Sequence, residues 1–138
     1  MRIAVLLPCY NEEAAIAQTV DGFRAALPGA AIYVYDNNSS DRTVSVARGA
    51  GAIVRGERMQ GKGHVVRRMF ADIDADSYVM ADGDATYDAA SAPKLIARML
   101  DEQLDMVVGS RVDDDAAAYR RGHRFGNRFM TGILARLF

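Results

Sequence analysis

Short apolar segments alternate with amphipathic segments along most of this chain, and that alternation constrains the fold more than any other feature. The predicted strands are 3–7, 32–35, 52–54, 77–81 and 106–108. Helices are predicted between them, at about 12–27, at 41–49, from Gly61 onward and from about Pro93. Strands separated by helices pair in parallel through right-handed crossovers, which places helices on both faces of the sheet. The sequence therefore predicts an α/β three-layer sandwich with a mostly parallel central sheet.

Composition narrows the class of protein. With 138 residues, 50% of them hydrophobic, the chain is long enough for one domain with a substantial core. Its net charge of −1 gives no reason to expect a nucleic-acid partner. A single cysteine, Cys9, excludes an internal disulfide and is typical of a reducing compartment. Since no secretory signal or membrane-spanning stretch is apparent, we expect a cytoplasmic protein.

The most informative motif is Asp82-Gly83-Asp84, which follows the apolar run 77–81. It falls where a parallel strand opens into a loop, the edge at which open α/β sheets bind ligands. In extended backbone the two carboxylates would point to opposite sides, so we expect Gly83 to allow a sharp turn. Asp84, with Asp82 beside it, could then hold Mg²⁺ or Mn²⁺ together with substrate phosphates. Two acids in a solvated turn are the alternative interpretation.

Other strand ends carry polar groups of a matching kind. The first strand leads into Pro8-Cys9-Tyr10-Asn11-Glu12, the second into Asp36, the third into Gln60-Gly61-Lys62-Gly63 and the fifth into Gly109-Ser110-Arg111. If the strand order is 3-2-1-4, the loops after strands one and four flank a single crevice. Together these loops offer what a nucleoside diphosphate requires: an aromatic ring, a carboxylate for ribose, a lysine beside helix amides and a metal site.

These five loops resemble, in order and roughly in spacing, the motifs of family-2 glycosyltransferases with a GT-A fold. The branch that makes polyprenyl-phosphate sugars, typified by dolichyl-phosphate mannose synthase, is the most similar. The resemblance implies a metal-dependent enzyme that moves a hexose, with inversion, from a UDP- or GDP-linked donor to an acceptor such as a polyprenyl phosphate. It also implies a nucleotide-sugar-binding core at 1–115.

The resemblance also implies site residues. Donor contacts fall on Pro8, Tyr10, Glu12, Asp36, Gly61, Lys62 and Asp82. Asp84 would take the metal with Asp82, and Asp84 and Arg111 are the predicted catalytic residues, Arg111 near the acceptor phosphate. The sequence departs from the pattern at Asn37, where a second acid often follows Asp36 and contacts the nucleoside. Family members also usually extend beyond this length, so we expect donor binding more firmly than catalysis.

The chemistry of transfer favours a phosphate acceptor. A departing diphosphate needs a cation and amide donors, which the acids, Lys62 and the helix start near Gly61 would provide. An alcohol acceptor would also need a general base, and the matched motifs offer no dedicated one. The oxygen of a polyprenyl phosphate is already ionised near neutral pH.

The segment 116–138 is predicted to be a basic amphipathic helix. It contains five arginines and no acid, with Phe125, Phe129, Ile133 and Leu137 at intervals of four residues. Such a helix can lie at the surface of an anionic membrane, so peripheral attachment to the cytoplasmic face is one interpretation. Arg120, Arg121 and Arg124 would then be further contacts for the acceptor phosphate. The other interpretation is that the apolar stripe packs on the sheet, or against a second copy in a homodimer.

Three rival functions start from the same residues. The segment 56–63 approaches a phosphate-binding NTPase loop, but Gly63 stands where that loop needs Ser or Thr for the metal. A phosphatase with an aspartyl nucleophile would place its acids after the first strand, where Pro8, Cys9 and Tyr10 stand. The stronger rival is a truncated or degenerate module that binds nucleotide-sugars without transferring them.

Overall fold

The computed structural model of the protein describes residues 1–110, and in them strands alternate with helices as predicted. The strands are β1 (Ile3–Cys9), β2 (Ala31–Asp36), β3 (Ile53–Gly56) and β4 (Ser77–Met80). The helices are α1 (Ile16–Ala26), α2 (Thr43–Gly49), α3 (Lys62–Asp72) and α4 (Ala92–Asp101), the last preceded by a 3₁₀ turn at Ala89–Ser91.

The four strands form one parallel sheet in the order β3-β2-β1-β4. In its register Cys9 lies opposite Asp36, and Leu6 lies opposite Met80. The direction in which strands are added reverses between β1 and β4. The loops after these two strands therefore flank a crevice at the carboxyl edge of the sheet, as the order 3-2-1-4 requires.

Alternation along β1 divides the core into two layers. Val5, Leu7 and Cys9 belong to one buried cluster, which also contains side chains from α1, α2 and α4. Ala4 and Leu6 belong to the other, on the face covered by α3. Because successive strand residues point to opposite faces, one apolar strand serves both layers. The predicted three-layer sandwich is confirmed.

Helix α1 begins later than predicted, at Ile16 instead of about Glu12. The amide of Glu12 donates to Thr43 Oγ1 at 2.8 Å, and that of Glu13 donates to Asp41 Oδ2 at 3.1 Å. These amides are therefore satisfied by the side chains of Asp41, in the β2–α2 loop, and of Thr43, the first residue of α2. Residues 12–15 form a turn that ties the first loop to the second.

The predicted fifth strand at 106–108 is wrong. The segment has no strand conformation, and the side chain of Met106 is 73% exposed. Apolar composition alone forms no strand, because a strand also needs a neighbour to pair with its amides and carbonyls. Phe70 also lies outside the core, 48% exposed, and its ring is in a T-shaped contact with the ring of Tyr78.

Residues Met1–Val107 form one compact unit. In the part of the chain that the structure describes, no helix has the length and apolar character needed to cross a membrane. The predicted helix at 116–138 lies outside the described residues, as does the boundary placed at residue 115.

Candidate functional site

A cleft of about 230 Å³ lies at the carboxyl edge of the sheet, where β1 and β4 end. Six of the side chains predicted to bind donor or metal line it. The lining residues are Pro8, Cys9, Tyr10, Glu12, Asn37, Lys62, Val65, Asp82 and Asp84. The structure thus brings the end of β1, the loops after β1, β2 and β4, and the first turn of α3 together in one site.

The two acids of the Asp82-Gly83-Asp84 motif both line the cleft, but the backbone achieves this differently from our expectation. The left-handed residue is Ala85, with φ of 57°, whereas Gly83 does not have a positive φ. Gly83 is required for space instead. A Cβ at this position would collide with Cys9 Sγ and approach Ile16 Cδ1 to 3.2 Å. The glycine lets the acid loop lie directly on the floor formed by β1 and α1.

Each acid has a defined neighbour. The Lys62 ammonium donates to Asp82 Oδ1 in a close ion pair. Asp84 Oδ1 accepts hydrogen bonds from the Thr86 amide at 3.0 Å and from Thr86 Oγ1 at 2.7 Å. Both carboxylates are partly accessible from the cleft.

Glu12 adds a third carboxylate to the site. Burial raises the pKa of this group, and the charges of Asp84 and Asp82 raise it further. The three acids therefore repel one another electrostatically, and a cation among them would relieve that repulsion.

The donor set fits a hard divalent cation that is only partly ligated by protein. Within residues 1–110 no three metal-ligating side chains converge as a complete site. Mg²⁺ is commonly held by one or two carboxylates, with substrate phosphates and water completing its octahedral shell. Asp84 and Asp82 provide that minimum at the wall of a cleft large enough to admit phosphate oxygens.

Helix α3 begins at Lys62, as predicted, and its first turn lies beside the cleft. The start is fixed by Gly61, whose φ of 127° is open to glycine but strained for other residues. The Gly61 amide donates to Asn37 Oδ1 at 2.7 Å. Lys62, which is paired with Asp82, and the amides at this helix start place positive charge beside the cleft, a suitable setting for a diphosphate.

Asn37 was expected to weaken a nucleoside contact, but the structure gives it another role. The side chain is buried, and its amide nitrogen donates to Glu57 O at 2.9 Å and Met59 O at 2.8 Å. Together with its bond from Gly61, these contacts hold the loop that carries Lys62. An aspartate could not replace it, because a carboxylate has no protons to donate to two carbonyls. Adjacency to a candidate site residue was the only sequence signal for this role.

Asp36 is not among the lining residues. Its carboxylate accepts from the Ser39 amide at 3.2 Å, closing the turn after β2. A nucleoside contact by Asp36 stays a prediction. Arg111, Arg120, Arg121 and Arg124, the predicted acceptor-side residues, lie outside the described residues.

The first loop is anchored to the second by side chains on both sides. Asn11, with φ of 55°, accepts from the Ser40 amide at 2.9 Å through its Oδ1, and its own amide donates to Ser39 Oγ at 2.8 Å. Tyr10, 53% exposed, projects from this anchored loop and lines the cleft with Pro8. An exposed aromatic ring on a fixed loop is suited to stacking on a base.

The chain is similar in sequence to known proteins. Protein RfbJ of Shigella flexneri is 56% identical over 123 residues, which are 88% of this chain and 95% of RfbJ. The dolichyl-phosphate hexose transferase of Haloferax volcanii is 33% identical over 125 residues, or 91% of this chain and 54% of that protein.

Among solved structures, a similar one is glucosyl-3-phosphoglycerate synthase from Mycobacterium tuberculosis in complex with Mn²⁺, UDP-glucose and phosphoglyceric acid. The TM-score is 0.65 at 29% identity, over 72% of this chain and 39% of the synthase chain. The GT-A fold is therefore confirmed. The chain spans nearly all of RfbJ but only about half of the transferase and two fifths of the synthase.

The sequence profile of the family described as "Glycosyl transferase family 2" matches residues 4–136. This match covers nearly the whole chain, and it agrees with the relatives and with the fold. The chain belongs to glycosyl transferase family 2.

Proposed function

We propose that this domain binds a nucleotide-sugar, UDP- or GDP-linked, in the cleft between the β1 and β4 loops, together with Mg²⁺ or Mn²⁺. One observation carries the proposal: Glu12, Asp82, Asp84 and Lys62 line one cleft, at the sheet edge where β1 and β4 end. A solved relative binds UDP-glucose and Mn²⁺, according to the description of its complex, and shares the fold.

In this proposal Pro8 and Tyr10 contact the base, and Glu12 and Asp36 the nucleoside. Lys62 and the first amides of α3 bind phosphate oxygens. Asp84 and Asp82 would hold the cation, which when bound would offset the negative charge of the diphosphate leaving group. The chain's own contribution is to fix these charges in place before the donor enters, so that little reorganisation is needed during reaction.

We propose further that the acceptor is a polyprenyl phosphate and that the sugar is transferred with inversion at the cytoplasmic face of a membrane. An ionised phosphate oxygen would attack the anomeric carbon from one side. The bond from that carbon to the diphosphate oxygen would break on the other side, and its electrons would leave with the nucleoside diphosphate. The name of the dolichyl-phosphate relative supports this acceptor class. Arg111, with Arg120, Arg121 and Arg124, is proposed to bind the acceptor phosphate.

The test is calorimetric titration of UDP-glucose and of GDP-mannose into the protein, with and without Mn²⁺. Asp84→Asn is the diagnostic variant, because an amide oxygen can still accept from Thr86 while the charge is removed. Asp21→Asn, an exposed position on α1, is the matched control. We expect one donor to bind with Mn²⁺, Asp84→Asn to weaken it by about tenfold or more, and the control to bind normally.

Failure of both donors to bind a folded protein would contradict the proposal, as would binding indifferent to Mn²⁺ and Asp84. Transfer of labelled hexose to a polyprenyl phosphate then separates the two forms of the hypothesis. Binding without transfer would instead identify a module that binds nucleotide-sugars without transferring them.

A further inference from the structure

One buried hydroxyl on α1 contacts the backbone on both sides of Asp84. Thr19 is 7% exposed and lies on the helix that packs beneath the acid loop. Its Oγ1 accepts from the Ala85 amide at 3.1 Å and lies 3.1 Å from Gly83 O, to which it can donate. Nothing in the motif itself predicts this contact, which joins positions more than sixty residues apart in the chain.

An ordinary structural role for this hydroxyl is also visible. Thr19 Oγ1 lies 3.2 Å from Ala15 O, the bond by which a helical threonine commonly satisfies its own proton. The hydrogen bond from Thr19 to Ala15 O does not depend on the acid loop. The single hydroxyl proton is shared between the carbonyls of Ala15 and Gly83, whereas the bond from the Ala85 amide uses a lone pair and depends on the loop alone.

The loop has a reason to need such a contact. Ala85 has a φ of 57°, a left-handed conformation that is unfavourable for a residue with a Cβ. Gly83, on the other side of Asp84, is packed against Cys9 and Ile16. Bonds to the residues before and after Asp84 therefore fix the backbone from which its carboxylate projects into the cleft.

We infer that Thr19 is a positioning residue for the acid loop, residues 82–85. Its hydroxyl holds Ala85 in the left-handed conformation and thereby sets the direction in which the Asp84 carboxylate projects. The inference rests on the proposed function, because the orientation of the Asp84 carboxylate affects the binding of a cation and a diphosphate. Thr19 itself does not line the cleft.

The experiment compares Thr19→Val, which keeps the shape and removes the hydroxyl, with Thr19→Ser, which keeps the hydroxyl. Amide hydrogen exchange of the full chain is measured by NMR at Ala85, with Val34 in β2 as the reference for global stability. Affinity is measured by titration with Mn²⁺ and UDP and, separately, with Mn²⁺ and GDP. We expect Thr19→Val to speed Ala85 exchange relative to Val34 by about fivefold to tenfold and to weaken nucleotide binding by a similar factor. We expect Thr19→Ser to restore both.

The outcomes separate this inference from the proposed function. Unchanged exchange at Ala85 in Thr19→Val would overturn the inference while leaving donor binding intact. Faster exchange with unchanged nucleotide affinity would also overturn it, because Thr19 would then be a packing residue only. If the wild-type protein bound neither nucleotide, the proposed function would fail, and the claim on Asp84 would fall with it.

Discussion

Cys9 lies in the candidate site but is not equipped for chemistry. Burial raises the pKa of its thiol to about 12, and the charges of neighbouring acids, Glu12 first among them, act in the same direction. Since the thiolate is the nucleophile, the native thiol should be nearly inert at neutral pH. It serves as the surface on which Gly83 packs.

We therefore expect iodoacetamide at pH 8 to alkylate Cys9 in urea-unfolded protein at the rate of an ordinary cysteine. In the native protein the rate should be lower by about a hundredfold or more, because both exposure and thiolate fraction are small. Mass spectrometry of the alkylated protein follows the reaction, and the absence of a second cysteine makes the reading direct. Native alkylation as fast as that of the unfolded chain would show that the floor of the cleft is open.

Glu12 should make stability depend on pH. The raised pKa means that the folded state holds the proton more tightly than the unfolded state does. This stabilising contribution is complete below the ordinary pKa of a glutamate and is lost as pH rises through the raised value. At neutral pH the ionised group is a small cost to folding.

Glu12→Gln removes that cost, so we expect its melting temperature to match the wild type near pH 4 and to exceed it by about 1–2 °C at pH 7.5. Thermal unfolding followed by circular dichroism measures the difference. Glu13→Gln is the control, since Glu13 pairs with Arg42 and its loss should not stabilise the protein at pH 7.5. A stabilisation that grew toward acid pH would contradict the assigned direction.

At the scale of the elements, the β2–α2 and β3–α3 loops are held by side chains more than by backbone ladders. Two adjacent asparagines show the contrast. Asn37 is buried and donates to two carbonyls, whereas Asn38 is exposed and donates to Arg58 O and Gln60 Oε1. Both bridge the same pair of loops.

Asn37→Asp should lower the free energy of unfolding by about 2–3 kcal/mol, because it places a buried carboxylate against the two carbonyls that Asn37 now donates to. Asn38→Asp carries the same change of charge but should cost less than about 1 kcal/mol at its exposed position. Urea denaturation of the two variants at pH 7 measures both. Equal losses of stability would mean that the hydrogen bonds of Asn37 stabilise the protein no more than those of the exposed Asn38.

The elements themselves were largely predictable, and the exceptions have physical causes. Apolar runs closed by turn residues located β1 to β4, and Pro93 located the start of α4. The start of α1 was missed because the amides before it donate long-range hydrogen bonds to the side chains of Thr43 and Asp41. The segment 106–108 was misread because an apolar run carries no information about whether a partner strand exists.

At the scale of the whole molecule, the strand order explains why the site could be predicted better than its supports. Glu12, Lys62, Asp82 and Asp84 follow from motifs at strand ends, which the order β3-β2-β1-β4 brings to one crevice. Thr19 and Asn37 could not be found in the same way. Their roles depend on which backbone groups lie within 3 Å or so after folding, and no spacing along the chain reports that.

Within residues 1–110, the compact unit Met1–Val107 contains both buried clusters and the residues that line the cleft. A fragment of residues 1–110 should therefore fold without the remainder of the chain. We expect it to unfold in urea as a single transition and to bind Mn²⁺ with the donor nucleotide within about threefold of the full chain's affinity. Because Arg111 and the other predicted acceptor residues follow residue 110, hexose transfer should be lost.

Two measurements on this fragment test its folding and its nucleotide binding separately. Circular dichroism in urea reports whether the core is self-sufficient, and titration with Mn²⁺ and nucleotide reports whether the cleft is complete. An unfolded or aggregated fragment would show that the open edge of β4, paired on one side with β1 within residues 1–110, needs cover from elsewhere in the chain. A folded fragment that lost nucleotide binding would place part of the donor site beyond residue 110, and the cleft described here would then be one wall of that site.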